Sequence, residues 1–339
     1  MNSFEEASNE LFAEYQRMLR EQLILFLNTL HSQLRADAVH VLEGPGKLFS
    51  KAKKTTSASP VGVWSLLPLL VAQQFLPTID EQYACRVAIS VECFICALDL
   101  LDDIEDGDQT SIVLELGPPR VLNVATTLLA LTNHILLSLI EVGSPPEQIT
   151  RLLSAVQEAL ITATAGQHRD ILAEQRSTES FTSDECIEIA EGKAGALMSL
   201  ACRIGALCAN VDDEVLAQFS EMGKLLGIAH QLDNDSHDLY HILQHQQTNE
   251  ATGTIKTDLV RHKKTLPVVL AAHAMSALHN SSLATDEEKQ KASIDVLHEG
   301  IITTWGISLL YRERAHDQLR QIENQHPVSH ALRLLLGFA

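Results

Sequence analysis

Apolar positions at helical spacing open the chain. Leu11, Tyr15, Leu19, Leu23, Phe26, Leu30 and Leu34 predict one long helix, or two, across residues 4–42. From Val63 onward apolar helical segments alternate with short breaks. The pattern predicts helices over 63–76, 79–106, 119–142, 146–176, 184–209, 213–246, 265–280, 286–300, 302–323 and 328–337. Pro77, Gly117-Pro118-Pro119, Gly143-Ser144-Pro145-Pro146 and residues 248–256 mark the breaks. Three segments, 89–101, 124–140 and 194–207, are apolar on most faces and belong in the middle of a bundle. Residues 43–60, with Gly44, Pro45, Gly46 and the lysines Lys47, Lys51, Lys53 and Lys54, are the most linker-like stretch. They are expected to form a solvated loop; a lid that meets a polyanion is the alternative.

Composition sharpens this into a fold class. Leu and Ala dominate and aromatics are only 4% of the 339 residues, which favours helices over strands and predicts an all-α protein. No internal repeat or strong boundary appears. The expectation is a single helical domain, residues 63–339, on which residues 1–62 pack as an N-terminal helix and loop. A formal charge of −19, with no basic stripe, argues against nucleic acid as a partner and against attraction to anionic lipid. The six cysteines make no disulfide framework. Cys93 and Cys96 have redox or half-zinc spacing, but they lie mid-helix around Phe94 and Ile95 with no second pair, so they are read as core. The acidic N-terminus lacks a signal peptide's apolar region, and no purely apolar run reaches about 18 residues, so no membrane span and a cytoplasmic location are expected.

Two acidic stretches carry the candidate chemistry. In the first, Asp99, Asp102/Asp103 and Asp106 recur at i, i+3/i+4 and i+7 and line one helical face over two turns. Such a face repels itself and raises its own pKa values, so beside Leu100, Leu101 and Ile104 it is best understood with cations on it, and hard oxygen ligands suit Mg²⁺. In the second, Gln231, Asn234, Asp235 and Asp238 repeat the spacing. The two faces, if opposed, would cage more than one Mg²⁺. Taken singly, each is also explicable as a solvated helix end. His237, His241 and His245 at i, i+4 and i+8 are read as an exposed or partly packed face rather than a transition-metal site.

From about residue 60 to the end the chain resembles the trans-polyprenyl diphosphate synthase superfamily, the class I isoprenoid enzymes. Val91-Glu92 precede Asp102-Asp103-Ile104-Glu105-Asp106, which looks like the first Asp-Asp-x-x-Asp motif. Gly166-Gln167-His168-Arg169-Asp170 resembles Gly-Gln-x-x-Asp, and Lys193 with Ala194 and Leu197 resembles a Lys-Thr-x-x-Leu helix. Gly227 through Asp238 is similar to the second Asp motif, with His230 for Phe and Asn234 for its first Asp. Asp258-Leu259 and Lys263-Lys264-Thr265-Leu266-Pro267 resemble the late Lys-x-Thr-Leu-Pro element.

The resemblance implies an isoprenoid-synthase-type bundle around a central apolar cavity, a homodimer, and three Mg²⁺ ions gripping an allylic prenyl diphosphate. It implies Asp102, Asp106, Asn234 and Asp238 as metal ligands, with Asp103, Asp235 and Gln231 beside them. Lys193 and Lys263 would contact the diphosphate, and Gln167, Asp170 and His230 would position substrate. Ala97 and Leu98 would line the cavity floor, with Phe94 one turn deeper as a stop. The chain departs from elongating members in two places. The Gly-Lys-x-x-Arg-Pro and Arg-Arg-Gly elements that hold isopentenyl diphosphate are missing: no Lys or Arg lies between Lys54 and Arg86, or between Asp106 and Arg120. Burying a second diphosphate without cations costs about several kcal/mol. The expected activity is therefore ionisation of one allylic diphosphate followed by cyclisation or quenching, as in a terpene synthase. The alternatives are a prenyltransferase, acting on a non-diphosphate acceptor or elongating, and a non-catalytic partner subunit.

Overall fold

The computed structural model describes residues 3–50, 62–76, 81–248, 263–278 and 286–338. Lys51, Lys53, Lys54, Pro77, residues 249–256 and Asp258-Leu259 lie outside the described residues. Among those described, every regular element is a helix, so the fold is all-α as the composition predicts. In chain order they are α1 (Ser3–Leu27), α2 (Ser32–Leu42), α3 (Val63–Gln73), α4 (Glu81–Glu105), α5 (Ser111–Leu116), α6 (Pro118–Leu137) and α7 (Pro146–Glu174). There follow α8 (Ser183–Ala190), α9 (Ala196–Cys208), α10 (Asp213–Thr248), α11 (Leu266–Leu278), α12 (Asp286–Glu323) and α13 (His330–Leu336).

The chain divides into two compact units, residues 1–158, 199–221 and 316–339 in unit one and residues 159–198 and 222–315 in unit two. In unit one α4 is central and packs against α6, α3 and α1. Its Ile89, Val91, Cys93, Phe94 and Ala97 are all fully buried, which is why this stretch is apolar on most sides. All six cysteines are free and buried, and Cys93 and Cys96 are core residues whose thiols are pushed up by burial, as expected of packing rather than redox chemistry. The stretch Pro118–Val142 is long and apolar enough to cross a membrane by length and composition. Here Val121, Val124, Ala125, Leu128, Leu131 and Ile135 are buried in protein, and the helix packs on α4.

In unit two, α8 and α11 pack together, and a cluster of Phe181, Ile189, Ile228, Leu232, Leu266 and Val269 forms the core.

Three elements differ from the sequence expectation. The predicted break at 301 is absent: α12 runs unbroken through Gly300, whose missing Cβ would lie 2.4 Å from the Pro267 carbonyl oxygen, so this glycine serves a close approach rather than a stop. A short α5, unforeseen, starts where the Thr110 hydroxyl accepts the Val113 N–H. The predicted helix 184–209 is interrupted by a π-helical turn, Glu191–Gly195.

Candidate active site

The first acidic face ends α4 in unit one. The Asp106 N–H donates to the Asp102 carbonyl oxygen at 2.8 Å, so both stand in helical register on one face, as the spacing predicts. Asp106 is buried; Asp102 and Asp103 are half-buried. Asp103 is pushed up to about 6, by burial first and then by Asp99, Asp108 and Asp102, against a Thr110 hydroxyl bond of 3.1 Å that lowers it. Burial is thus the larger cause, and repulsion by the neighbouring carboxylates that the spacing implies adds to it.

A basic partner enters from an unexpected place. Lys47 is not in a solvated loop: its side chain is 16% exposed and bonds Asp99, one turn before Asp102. Burial alone would lower its pKa, but Asp99 and smaller charges more than offset this, and the ammonium is held above its ordinary value. The loop is fixed by Glu92, fully buried on α4, whose carboxylate accepts the Leu48 N–H at 2.8 Å and the Ser65 hydroxyl at 2.9 Å. Burial pushes Glu92 up; Lys47, Leu48 and Ser65 pull it back. In the sequence Glu92 shows only as a lone Glu inside the apolar stretch 89–101, and no local pattern marks Ser65.

Phe94 and Ala97 are fully buried on α4 and Leu98 is half-buried one turn before the aspartates.

In unit two, Gly166 and Gly192 meet backbone to backbone. A Cβ on Gly166 would stand 2.7 Å from the Gly192 carbonyl carbon, so only glycine lets α7 touch the π-turn here. That contact joins two motifs. Lys193, on the turn, donates to Asp170 on α7 at 2.8 Å, with both side chains about one-sixth exposed at 15% and 16%, and Gln167 is buried beside them. Cys186 on α8 links further pieces: its thiol donates to the Lys264 carbonyl oxygen at 3.2 Å, and is raised to about 12 by burial, then by Asp235, Glu185 and Asp170. Lys263 is half-buried just ahead of α11.

The second acidic face lies on α10, also in unit two. Gln231 donates to Asp235 at 2.9 Å, and the Asn234 amide meets His230 at 3.3 Å. His230 is lowered, first through partial loss of hydration and then by Arg312, against the pull of Asp233. Asn234 is exposed and Asp238 half-buried. Asp233, passed over in the sequence, is bound by Arg312 and accepts the Ser308 hydroxyl at 2.6 Å, both from α12. His237 and His241 are exposed, His237 in edge contact with Trp305 and His241 with Tyr240, as expected of that face, while the His245 side chain lies outside the described residues.

Among the described residues no three His, Cys, Asp or Glu side chains gather tightly enough to hold a metal ion by themselves. Mutually repelling carboxylates of this kind still fit Mg²⁺, a hard cation that keeps several ligands outside the protein, such as water and phosphate oxygens.

An all-α chain with acidic helical faces, a Gly-Gln-x-x-Asp helix held by a lysine, and a late Lys-Lys-Thr-Leu-Pro is in the class of diphosphate-handling helical bundles. The polyprenyl synthetase pattern matches residues 63–300, and the chain belongs to that family. It is 30% identical over 231 residues to a geranylgeranyl diphosphate synthase of Mycobacterium tuberculosis, covering 66% of this chain and 63% of that protein. It is 31% identical over 160 residues to the tryptophan prenyltransferase ComQ of Bacillus spizizenii, covering 47% of this chain and 52% of that one. The chain thus spans less than two thirds of either relative. A geranylgeranyl pyrophosphate synthetase from the archaeon Geoglobus acetivorans has the same fold, with a TM-score of 0.72 at 21% identity over 97% of this chain and 96% of that one.

Proposed function

We propose that this protein ionises one allylic prenyl diphosphate and passes the prenyl group to an acceptor that carries no diphosphate: its own double bonds in a cyclisation, water, or an external nucleophile. The observation that carries the reading is the pairing of Lys47 with Asp99. Lys47 sits on the loop ahead of the first Asp motif, where an elongating enzyme needs cations for isopentenyl diphosphate, and here its charge is already met. Arg120, the first base after that motif, is likewise bound by both oxygens of Asp37.

Mg²⁺ on Asp102 and Asp106 of the first acidic face, and on Asn234 and Asp238 of the second, would supply the charge that makes diphosphate a leaving group. Lys193, kept in place by Asp170, and Lys263 would add cationic contacts to a diphosphate. Gln167 and Gln231 orient its oxygens. The allylic C–O bond breaks with its electron pair leaving on the diphosphate oxygen. The cation survives because apolar α4, through Phe94, Ala97 and Leu98, keeps water away. It ends by losing a proton or by bonding an acceptor that gives up one.

Similarity to ComQ favours transfer to a nucleophile as a second reading, with an indole side chain as the acceptor to try. Geranyl, farnesyl and geranylgeranyl diphosphates with Mg²⁺ are incubated with and without isopentenyl diphosphate and a tryptophan-containing peptide. Hydrocarbon, alcohol or prenylated peptide from an allylic substrate alone is expected. A longer diphosphate formed only with isopentenyl diphosphate overturns the proposal, as does silence with every substrate coupled to stimulation of a second synthase. Asp102→Ala and Asn234→Ala are each expected to lower turnover at least about a thousandfold.

A further inference from the structure

Unit one contains a pocket of about 480 Å³ far along α4 from the aspartates. Its lining includes Tyr83, two residues into α4, and the nineteen residues from Tyr83 to Asp102 span about 28 Å of helix. We propose that this pocket is a second ligand site, for a small amphiphilic oxyanion: a phosphate or carboxylate head on a short apolar body.

Three donor groups converge on it. Ser144 lines the pocket and is only 7% exposed; its hydroxyl is buried, makes no hydrogen bond of ordinary geometry, and lies beside the Tyr83 phenol, which Gln148 and Cys208 also approach. A ligand oxygen would give this buried hydroxyl a partner of ordinary geometry. Tyr83 is raised to about 12, chiefly by burial, so its phenol remains a donor across the physiological range. Arg151 reaches in from the second turn of α7, held by the Asn210 side-chain oxygen at 3.2 Å. Asn210 itself sits at φ 52, in the left-handed region. Asp213, at 3.8 Å, is a loose and exposed partner that leaves guanidinium donors available. The start of α7 adds its N-terminal dipole to the same side.

The rest of the lining is mixed: Gln148 and Glu147 are polar, the remainder small or apolar. Val142, Pro145 and buried Cys208 give the body of a ligand a surface, and the volume exceeds what a bare phosphate needs. Glu147 on the rim disfavours a large polyanion and favours one head group.

Binding to the full-length chain is measured by calorimetry and thermal shift in chelator, where a metal-dependent site is silent; the outcome therefore stands apart from that of the turnover experiment. Geranyl monophosphate and octanoate are the amphiphilic probes, and inorganic phosphate is the head alone. Saturable binding of either amphiphile is expected, tighter than phosphate, and the better of the two identifies the head. Arg151→Gln should weaken it about tenfold or more, with Arg151→Lys between. Ser144→Ala should weaken it too, while leaving the melting temperature of the unliganded protein unchanged or higher. No saturable binding overturns the proposal. So does binding that neither Arg151→Gln nor Ser144→Ala alters, or phosphate binding as tightly as the amphiphiles.

Discussion

Glu92 illustrates what a single buried charge does in this protein. It accepts from the Leu48 N–H and the Ser65 hydroxyl, and so fixes the loop that delivers Lys47 to Asp99. Glu92→Ala strands a buried donor and is expected to lose about 1–3 kcal/mol in urea denaturation, whereas Glu92→Gln, which keeps an acceptor, loses less. Glu185 offers a pH test. Its carboxyl is lowered from 4.5 to about 2, first by Arg176 and then by the Thr182 N–H. An acid depressed in the folded state adds stability above its unfolded pKa and loses it as pH falls through the folded value. The stability difference between native protein and Glu185→Gln should be constant above pH ~5 and shrink as pH falls from about 4.5 towards about 2; a difference unchanged between pH ~5 and pH ~2 would refute this assignment. At this scale the acidic faces, Gln167 and Lys193 were legible from spacing and motif. Lys47, Ser65, Asp233 and Arg312 were not, since each acts through a partner tens of residues away along the chain.

Among the elements, the π-turn Glu191–Gly195 does most for the site. A π-turn inserts one residue into a helix, and here it faces Gly166 across Gly192 and presents Lys193 to Asp170. Gly166→Ala would press a Cβ into the Gly192 backbone, where nothing flexible gives way, and is expected to cost about 1–3 kcal/mol by thermal denaturation. Removing Ala194 should restore a regular helix, rotate Lys193 by about 100° and abolish turnover while circular dichroism stays helical. Periodicity predicted most of the other helices to within a few residues. It missed α5, too short to show a period, and divided α12 at Gly300, because a glycine that ends a helix and one that admits a neighbouring carbonyl are the same letter.

For the whole molecule, α6 poses the open question of its outer face. Leu122, Leu137 and Ile140 along Pro118–Val142 are exposed, although the opposite side is buried against protein. A homodimer covering this face is expected, with sedimentation showing twice the mass of the chain. Leu137→Lys should then shift the equilibrium to the monomer at micromolar protein. A native chain that sediments as a monomer without detergent would dismiss that partner.

Helical class and the existence of two acidic faces were settled by the sequence alone, because period and charge are local properties carried by neighbouring residues. Only the tertiary structure decided which charges remain available. Lys47 reads as one of four lysines in a polar loop until a buried glutamate 45 residues on pins that loop and an aspartate neutralises it, since pairing across such distances depends on packing and leaves no mark on the local pattern.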